Sequence, residues 1–289
     1  MGILPVHMGL EPVTCMSTHP LLVELRSITK RFPGIIACDG VDFQVYTGEI
    51  HALLGENGAG KTTLMQILYG LHHPNTGEIW IDGQRRVLRS PKDAMRAGIG
   101  MVFQHFTLIP SLTVTENIAL AAPVISVFLR RKVLTAHVQQ LAEQYQLAVD
   151  PDSHVWQLSV GEQQRVEILK LLHRRARILI LDEPTAVLTP QESAAFLQTM
   201  RRLAAAGHAV ILITHKLAEA LSVAHRITVL RHGRVVANTD PAEVNQSASG
   251  GARAFPKLRA GRGCGATVAF RIRDARTTTR RPRQRPFGR

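Results

Sequence analysis

The residues that most restrict what this chain can become are Gly55-Glu56-Asn57-Gly58-Ala59-Gly60-Lys61-Thr62. They follow an apolar run, Ile50–Leu54, and open a helical pattern that runs from Thr62 to Leu71. A strand, a glycine-rich loop ending in Lys-Thr and then a helix make a phosphate-binding loop. The glycines let the backbone curl so that several N–H groups face phosphate oxygens, and the helix N-terminus adds positive potential. Lys61 is suited to reach the β- and γ-phosphates and the Thr62 hydroxyl to ligate Mg²⁺, with Thr63 next to them in the same nucleotide-binding stretch. A plain glycine turn before a helix is the alternative. The loop, the lysine and the flanking elements together argue against it.

A loop of this kind needs a carboxylate to hold the metal, and the chain offers one 121 residues after Lys61. Ile178-Leu179-Ile180-Leu181 reads as a buried strand and ends in Asp182-Glu183. Asp182 fits the Mg²⁺-holding aspartate, and Glu183 fits a general base that polarises the attacking water. Acidic residues at a strand end are common in isolation. Paired with the loop, they point to binding and hydrolysis of a nucleoside triphosphate.

The rest of the chain reads as alternating strands and helices. Strands are expected at Leu22–Leu25, Asp42–Val45, Glu78–Ile81, Ile99–Phe103, Ala209–Thr214 and Arg226–Leu230, and helices at Ala136–Gln146, Gly161–Arg174, Pro190–Ala206 and Leu217–Leu221. This order implies an α/β fold with a mostly parallel sheet core. The early strands suggest an antiparallel β layer, and the stretch about 105–175, poor in strand signals, suggests a helical subdomain. No repeat of 20–50 residues appears, and the longest apolar run, Ile118–Leu129, is about 18 Å as a helix, too short for a bilayer.

Composition matters at the ends. The formal charge of +13 suggests a nucleic-acid binder until it is located: residues 251–289 hold twelve Lys or Arg against one acidic residue, which leaves +2 for residues 1–250. Residues 1–20 are expected to be a flexible leader, within which Met16 is a possible start, residues 21–247 the ATPase domain, and residues 248–289 a disordered basic tail that binds polyanions non-specifically. Cys15, Cys38 and Cys264 have no paired spacing, so a reducing compartment is expected.

Leu158-Ser159-Val160-Gly161-Glu162-Gln163-Gln164-Arg165 precedes the helix before Asp182. Ser159 with Glu162 three residues on is a capping box, which by itself explains the segment as a helix start. Its placement between the loop and Asp182-Glu183 makes the chain resemble the ABC ATPases, P-loop NTPases whose signature LSGGQ appears here as LSVGE. In that family the signature of one subunit covers the γ-phosphate held by its partner. The resemblance therefore implies that Ser159, Gly161 and Glu162 bind ATP in trans and that a second ABC ATPase domain, as homodimer or heterodimer, completes each site.

Carried over residue by residue, the resemblance makes Phe32 the aromatic that stacks on adenine, Gln104 the glutamine that senses Mg²⁺, and His215 the switch histidine at the γ-phosphate. Two departures stand out. Val160 replaces the first signature glycine, and Ala186-Val187-Leu188-Thr189 lacks the aspartate of the usual SALD, which puts communication between sites in doubt.

The stretches GENGAGKTTLMQILYGLHHPNTGEIWIDG, GMVFQHFTLIPSLTVTENIAL, LSVGEQQRVEILKLL and LDEPTAVLTPQE resemble the first ATPase domain of importers of nucleosides and simple sugars, with Val102–Phe106 leaning towards nucleosides. This resemblance implies membrane-spanning permease subunits as partners, an extracellular or periplasmic solute-binding protein as an indirect one, and a peripheral place on the cytoplasmic face of the membrane. Two other readings stay open: a truncated first half that binds ATP without supporting transport, and a soluble ABC ATPase acting on DNA or ribosomes.

Overall fold

A computed structural model describes residues 19–121 and 131–242. The expected leader up to residue 18 and the basic tail lie outside the described residues, as do Cys15 and Cys264.

Two sheets form. β1 (Leu21–Phe32), β2 (Ile35–Tyr46), β4 (Thr76–Ile81) and β5 (Gln84–Arg86) make an antiparallel layer in the order β2-β1-β4-β5. The larger sheet has the order β10-β9-β3-β8-β7-β6, built from β3 (Ile50–Leu54), β6 (Ile99–Val102), β7 (Ile178–Asp182), β8 (Ala209–Thr214), β9 (Arg226–Arg231) and β10 (Arg234–Thr239). The strands β9-β3-β8-β7-β6 run parallel, and β10 closes one edge as an antiparallel hairpin partner of β9.

Every residue of β3, β7 and β8 is buried. Apart from the buried His51 of β3 and the polar ends Asp182 and Thr214, those strands are apolar because both faces of the sheet are covered. Successive side chains alternate between the faces. Leu53, Ile178, Ile180, Ile211 and Ile213 pack with the antiparallel layer and with helix α1 (Lys61–Leu68), whereas Ile50, Leu179, Leu181, Val210 and Leu212 pack under the helices on the other side.

Between β6 and β7 the described residues hold α3 (Val114–Ala121), α4 (Arg131–Gln144), a 3₁₀ turn Val155–Gln157 and α5 (Val160–His173). A short helix, α2 (Pro91–Arg96), precedes β6, while α6 (Pro190–Ala205) and α7 (Leu217–Val223) flank β8. No helix among the described residues is long and apolar enough to cross a membrane.

Candidate functional site

All the loops that carry the candidate chemistry leave one edge of the parallel sheet. Register explains why: Leu54 pairs with Thr214 and Ile213 with Asp182, so the chain exits at Gly55, at Glu183 and at His215 on nearly the same level. Loops at the carboxyl ends of parallel strands are where open α/β sheets bind ligands.

The loop Gly55–Gly60 is held by elements far away in sequence. A Cβ on Gly55 would come within 2.4 Å of the Leu230 carbonyl oxygen, and one on Gly60, which sits at φ +102°, within 2.1 Å of the Ala37 carbonyl oxygen. The β9–β10 turn fastens this pinch, because the Gly233 N–H donates to the Ala59 carbonyl at 3.0 Å and the Gly233 carbonyl accepts from Asp39 at 2.8 Å. Glu56, Asn57 and Gly58 are exposed at the crest, and Ala59 is buried. Among the described residues the N–H groups of Asn57, Gly58, Gly60 and Lys61 have no protein acceptor, so the loop presents a set of donors at the start of α1.

Lys61 is 5% exposed, and its ammonium folds back to donate to the Gly55 and Glu56 carbonyls at 2.8 and 3.0 Å. Burial lowers its pKa, opposed by the nearby charges of Glu183 and Asp182. Thr62 Oγ1 donates to Asp182 Oδ1 at 3.4 Å, and Thr63 is half-buried beside it. Asp182 is 5% exposed; burial pushes its carboxyl up and Glu183 adds to this, while Thr62 and Lys61 pull it down. A buried carboxylate beside a hydroxyl is the oxygen donor set of a hard divalent cation.

Glu183 adopts φ +48°, a left-handed conformation that is strained for a residue with a side chain. Its Oε1 lies 3.1 Å from His215 Nδ1. Strain of this kind persists only where the surroundings hold it, and here they do. The Glu183 N–H donates to Ile213, the Ala186 N–H returns to Glu183, and buried Gln164 of α5 donates to the Pro184 carbonyl at 2.6 Å. On the far side, Lys216 donates to the Thr185 carbonyl at 2.9 Å and pairs with Glu219 at 3.0 Å, and Glu219 also accepts from the Thr185 hydroxyl. Gln164, Lys216 and Glu219 had no functional reading in the sequence, since their partners lie 20 to 34 residues away.

Other candidates make no hydrogen bond to this group. Gln104 is exposed just after β6, the parallel neighbour of β7, and since Val102 pairs with Leu181 it leaves the sheet on the side of Asp182–Glu183 without a hydrogen bond to Asp182 or Thr62. The loop that follows it is tied to the helices: Glu167 accepts from the Thr107 N–H at 2.6 Å, and buried Asn117 both accepts from and donates to Ile109. Phe32 is half-buried on the antiparallel layer, edge-on to His72 at 5.4 Å with Lys30 over its ring.

Ser159 caps α5 in a full capping box with Glu162, and its partners are in that box rather than in the loop. Val160 is 37% exposed, which explains why a valine fits where many family members have glycine. Gly161 is buried, and a Cβ there would meet a Glu192 carboxylate oxygen at 3.1 Å. The signature end of α5 is thus an exposed cap that makes no hydrogen bond to Gly55–Thr62 of its own chain.

Comparison with known proteins places the chain in a family. The nucleoside import ATP-binding protein NupA of Lactococcus lactis subsp. cremoris is 50% identical over 74% of this chain and 43% of its own length. The ribose import ATP-binding protein RbsA 1 of Rubrobacter xylanophilus is 47% identical over the same shares. This chain thus spans less than half the length of those curated relatives. Among solved structures, the dimeric bacterial ABC transporter cassette MJ0796 superposes with a TM-score of 0.66 at 28% identity, over 76% of this chain and 99% of that one. Residues 38–186 match the ABC transporter family, and the chain belongs to it as an ATP-binding cassette.

Proposed function

We propose that this chain is the ATP-hydrolysing subunit of an importer of a small polar solute, a nucleoside or a simple sugar. The observation that carries the reading is the single sheet edge on which Lys61, Asp182, Glu183 and His215 converge. The printed functions of the two relatives, nucleoside import and ribose import, support the substrate class.

In this reading the loop N–H groups and Lys61 bind the phosphates of ATP, and Phe32 stacks on the base. Thr62, Asp182 and Gln104 would hold Mg²⁺, which would supply positive charge against the phosphates of the nucleotide. The Glu183 carboxylate takes the proton of the attacking water, and His215, which contacts its Oε1, orients it. Ser159, Gly161 and Glu162 belong to the site of a second ABC ATPase domain. The exposure of Ser159 at the start of α5 and the dimer formed by MJ0796 support this. The segment Gln104–Asn117, tied to α5 through Glu167, faces membrane-spanning permease subunits on the cytoplasmic side, and a solute-binding protein delivers the cargo.

Co-purification with neighbouring membrane subunits, reconstitution into vesicles and a panel of solutes test the reading. Nucleosides or ribose should stimulate hydrolysis. Full turnover with no membrane subunit bound would favour a soluble ATPase, and ATP binding without turnover a non-working fragment.

A further inference from the structure

Away from the phosphate loop, at the opposite end of β6 and β7, lies a cleft of about 310 Å³. Five arginines line it (Arg86, Arg96, Arg174, Arg175 and Arg177) together with one carboxylate, Asp82. They come from four places: the antiparallel layer, α2, the end of α5 and the approach to β7. Gly98, at φ +80°, lets the Arg177 guanidinium lie against the backbone, since a Cβ there would meet Arg177 Nε at 3.3 Å.

Asp82 is taken by Arg177, whose two terminal nitrogens both donate to it. Arg96 is 3.7 Å from Asp93 on its own helix, an exposed pair of little worth. Arg86 finds only the Gln84 amide oxygen and Arg174 only the Met95 sulfur. Among the described residues, Arg86, Arg174 and Arg175 have no carboxylate partner. Arg86 and Arg175 are exposed and Arg174 half-buried, so solvent screens part of the repulsion among these three guanidinium groups and a bound anion would offset the rest. The guanidinium fork matches phosphate oxygens in pairs, and no aromatic side chain lines the cleft to carry a base.

We infer that this cleft is a second anion site, separate from the phosphate loop, for a small soluble ligand with more than one phosphate charge, such as pyrophosphate or a sugar bisphosphate. Its size suits a small molecule. The proposal does not rest on the reading of the phosphate loop, whose residues it does not use.

The test is calorimetric titration of pyrophosphate into the full chain, with the phosphate loop saturated by a non-hydrolysable ATP analogue and Mg²⁺. One site per chain is expected, binding sulfate more weakly. The paired substitutions Arg86→Gln and Arg175→Asn remove two exposed charges without a carboxylate partner, at the loss of only the exposed Arg86–Gln84 hydrogen bond, and affinity should fall at least ~10-fold with the melting temperature little changed. Arg86→Lys keeps the charge without the fork and should fall between. Both forms keep the basic tail, so equal binding by wild type and double variant would move anion binding elsewhere and overturn the proposal. Absence of a site in the wild type, or preference for a glutamate-rich peptide over pyrophosphate, would also overturn it.

Discussion

His215 Nδ1 lies 3.1 Å from Glu183 Oε1, across the ends of two adjacent parallel strands, and joins the candidate base to a side chain that is half in solvent. His215 does little for the core, so its loss should separate chemistry from folding. His215→Ala is expected to change stability by no more than about 0.5 kcal/mol, the usual surface range. Turnover should fall at least ~30-fold, about 2 kcal/mol of barrier, with ATP affinity kept. Turnover within twofold of wild type would remove His215 from the site.

The glycines of the loop are not equivalent. Gly60→Ala would drive a Cβ into the Ala37 carbonyl at φ +102°, whereas Gly58, at φ +78°, has open space around it. Gly58→Ala should therefore cost only the left-handed backbone, about 1–2 kcal/mol. Gly60→Ala should cost more and abolish ATP binding, because β2 or the loop must move. Urea denaturation and nucleotide titration of the two variants check the difference; equal costs would contradict the pinch.

Asp182 sets stability against function. Burial raises its folded pKa, so the folded chain holds this proton up to a higher pH than the unfolded chain does. Its contribution to stability is therefore unfavourable at neutral pH. That penalty is relieved as the pH falls through its raised value towards the ordinary 3.8. Asp182→Asn removes the charge in the folded state and should raise the nucleotide-free melting temperature at pH 7, flattening its dependence on acid. The same variant should lose the extra stabilisation that Mg²⁺ with ATP supplies. A lower melting temperature without nucleotide would show the carboxylate is stabilising as it stands.

Much of this was legible in the sequence, for physical reasons. The β3, β7 and β8 runs are mostly apolar because both sheet faces are covered, and the loop, Asp182–Glu183 and the Ser159–Glu162 box are local patterns. Other elements were not. β10 alternates half-buried and exposed residues at the sheet edge, and β5 is three exposed residues, so neither carries a strong apolar signal. α2 and α3 are short. β2 proved to be twelve residues where Asp42–Val45 was expected, since it continues through Gly40 at φ +60°. The clamps from Gln164, Lys216 and Glu219, like the pinch of Ala37, Leu230 and Gly233 on the loop, join distant residues and leave no local trace.

The exposed cap at Ser159 points to a composite site. Mixing Lys61→Ala chains with Ser159→Arg chains places both lesions in one site and leaves the other intact, if two copies pair. Under conditions where the wild type is an active homodimer, the mixture should recover activity that neither variant has. Mixtures as inactive as their parents would argue that each cassette acts alone.

Hydrolysis at this site depends most directly on Glu183. Wild type and Glu183→Gln should be compared for ATP affinity and for single-turnover hydrolysis with every site filled. Substitution keeps the volume and the strained backbone but removes the carboxylate that meets His215. The expected result is unchanged affinity with hydrolysis slowed at least ~100-fold, about 2.7 kcal/mol of barrier. Near-normal hydrolysis by the variant at equal occupancy would contradict the account, because the base would then lie elsewhere.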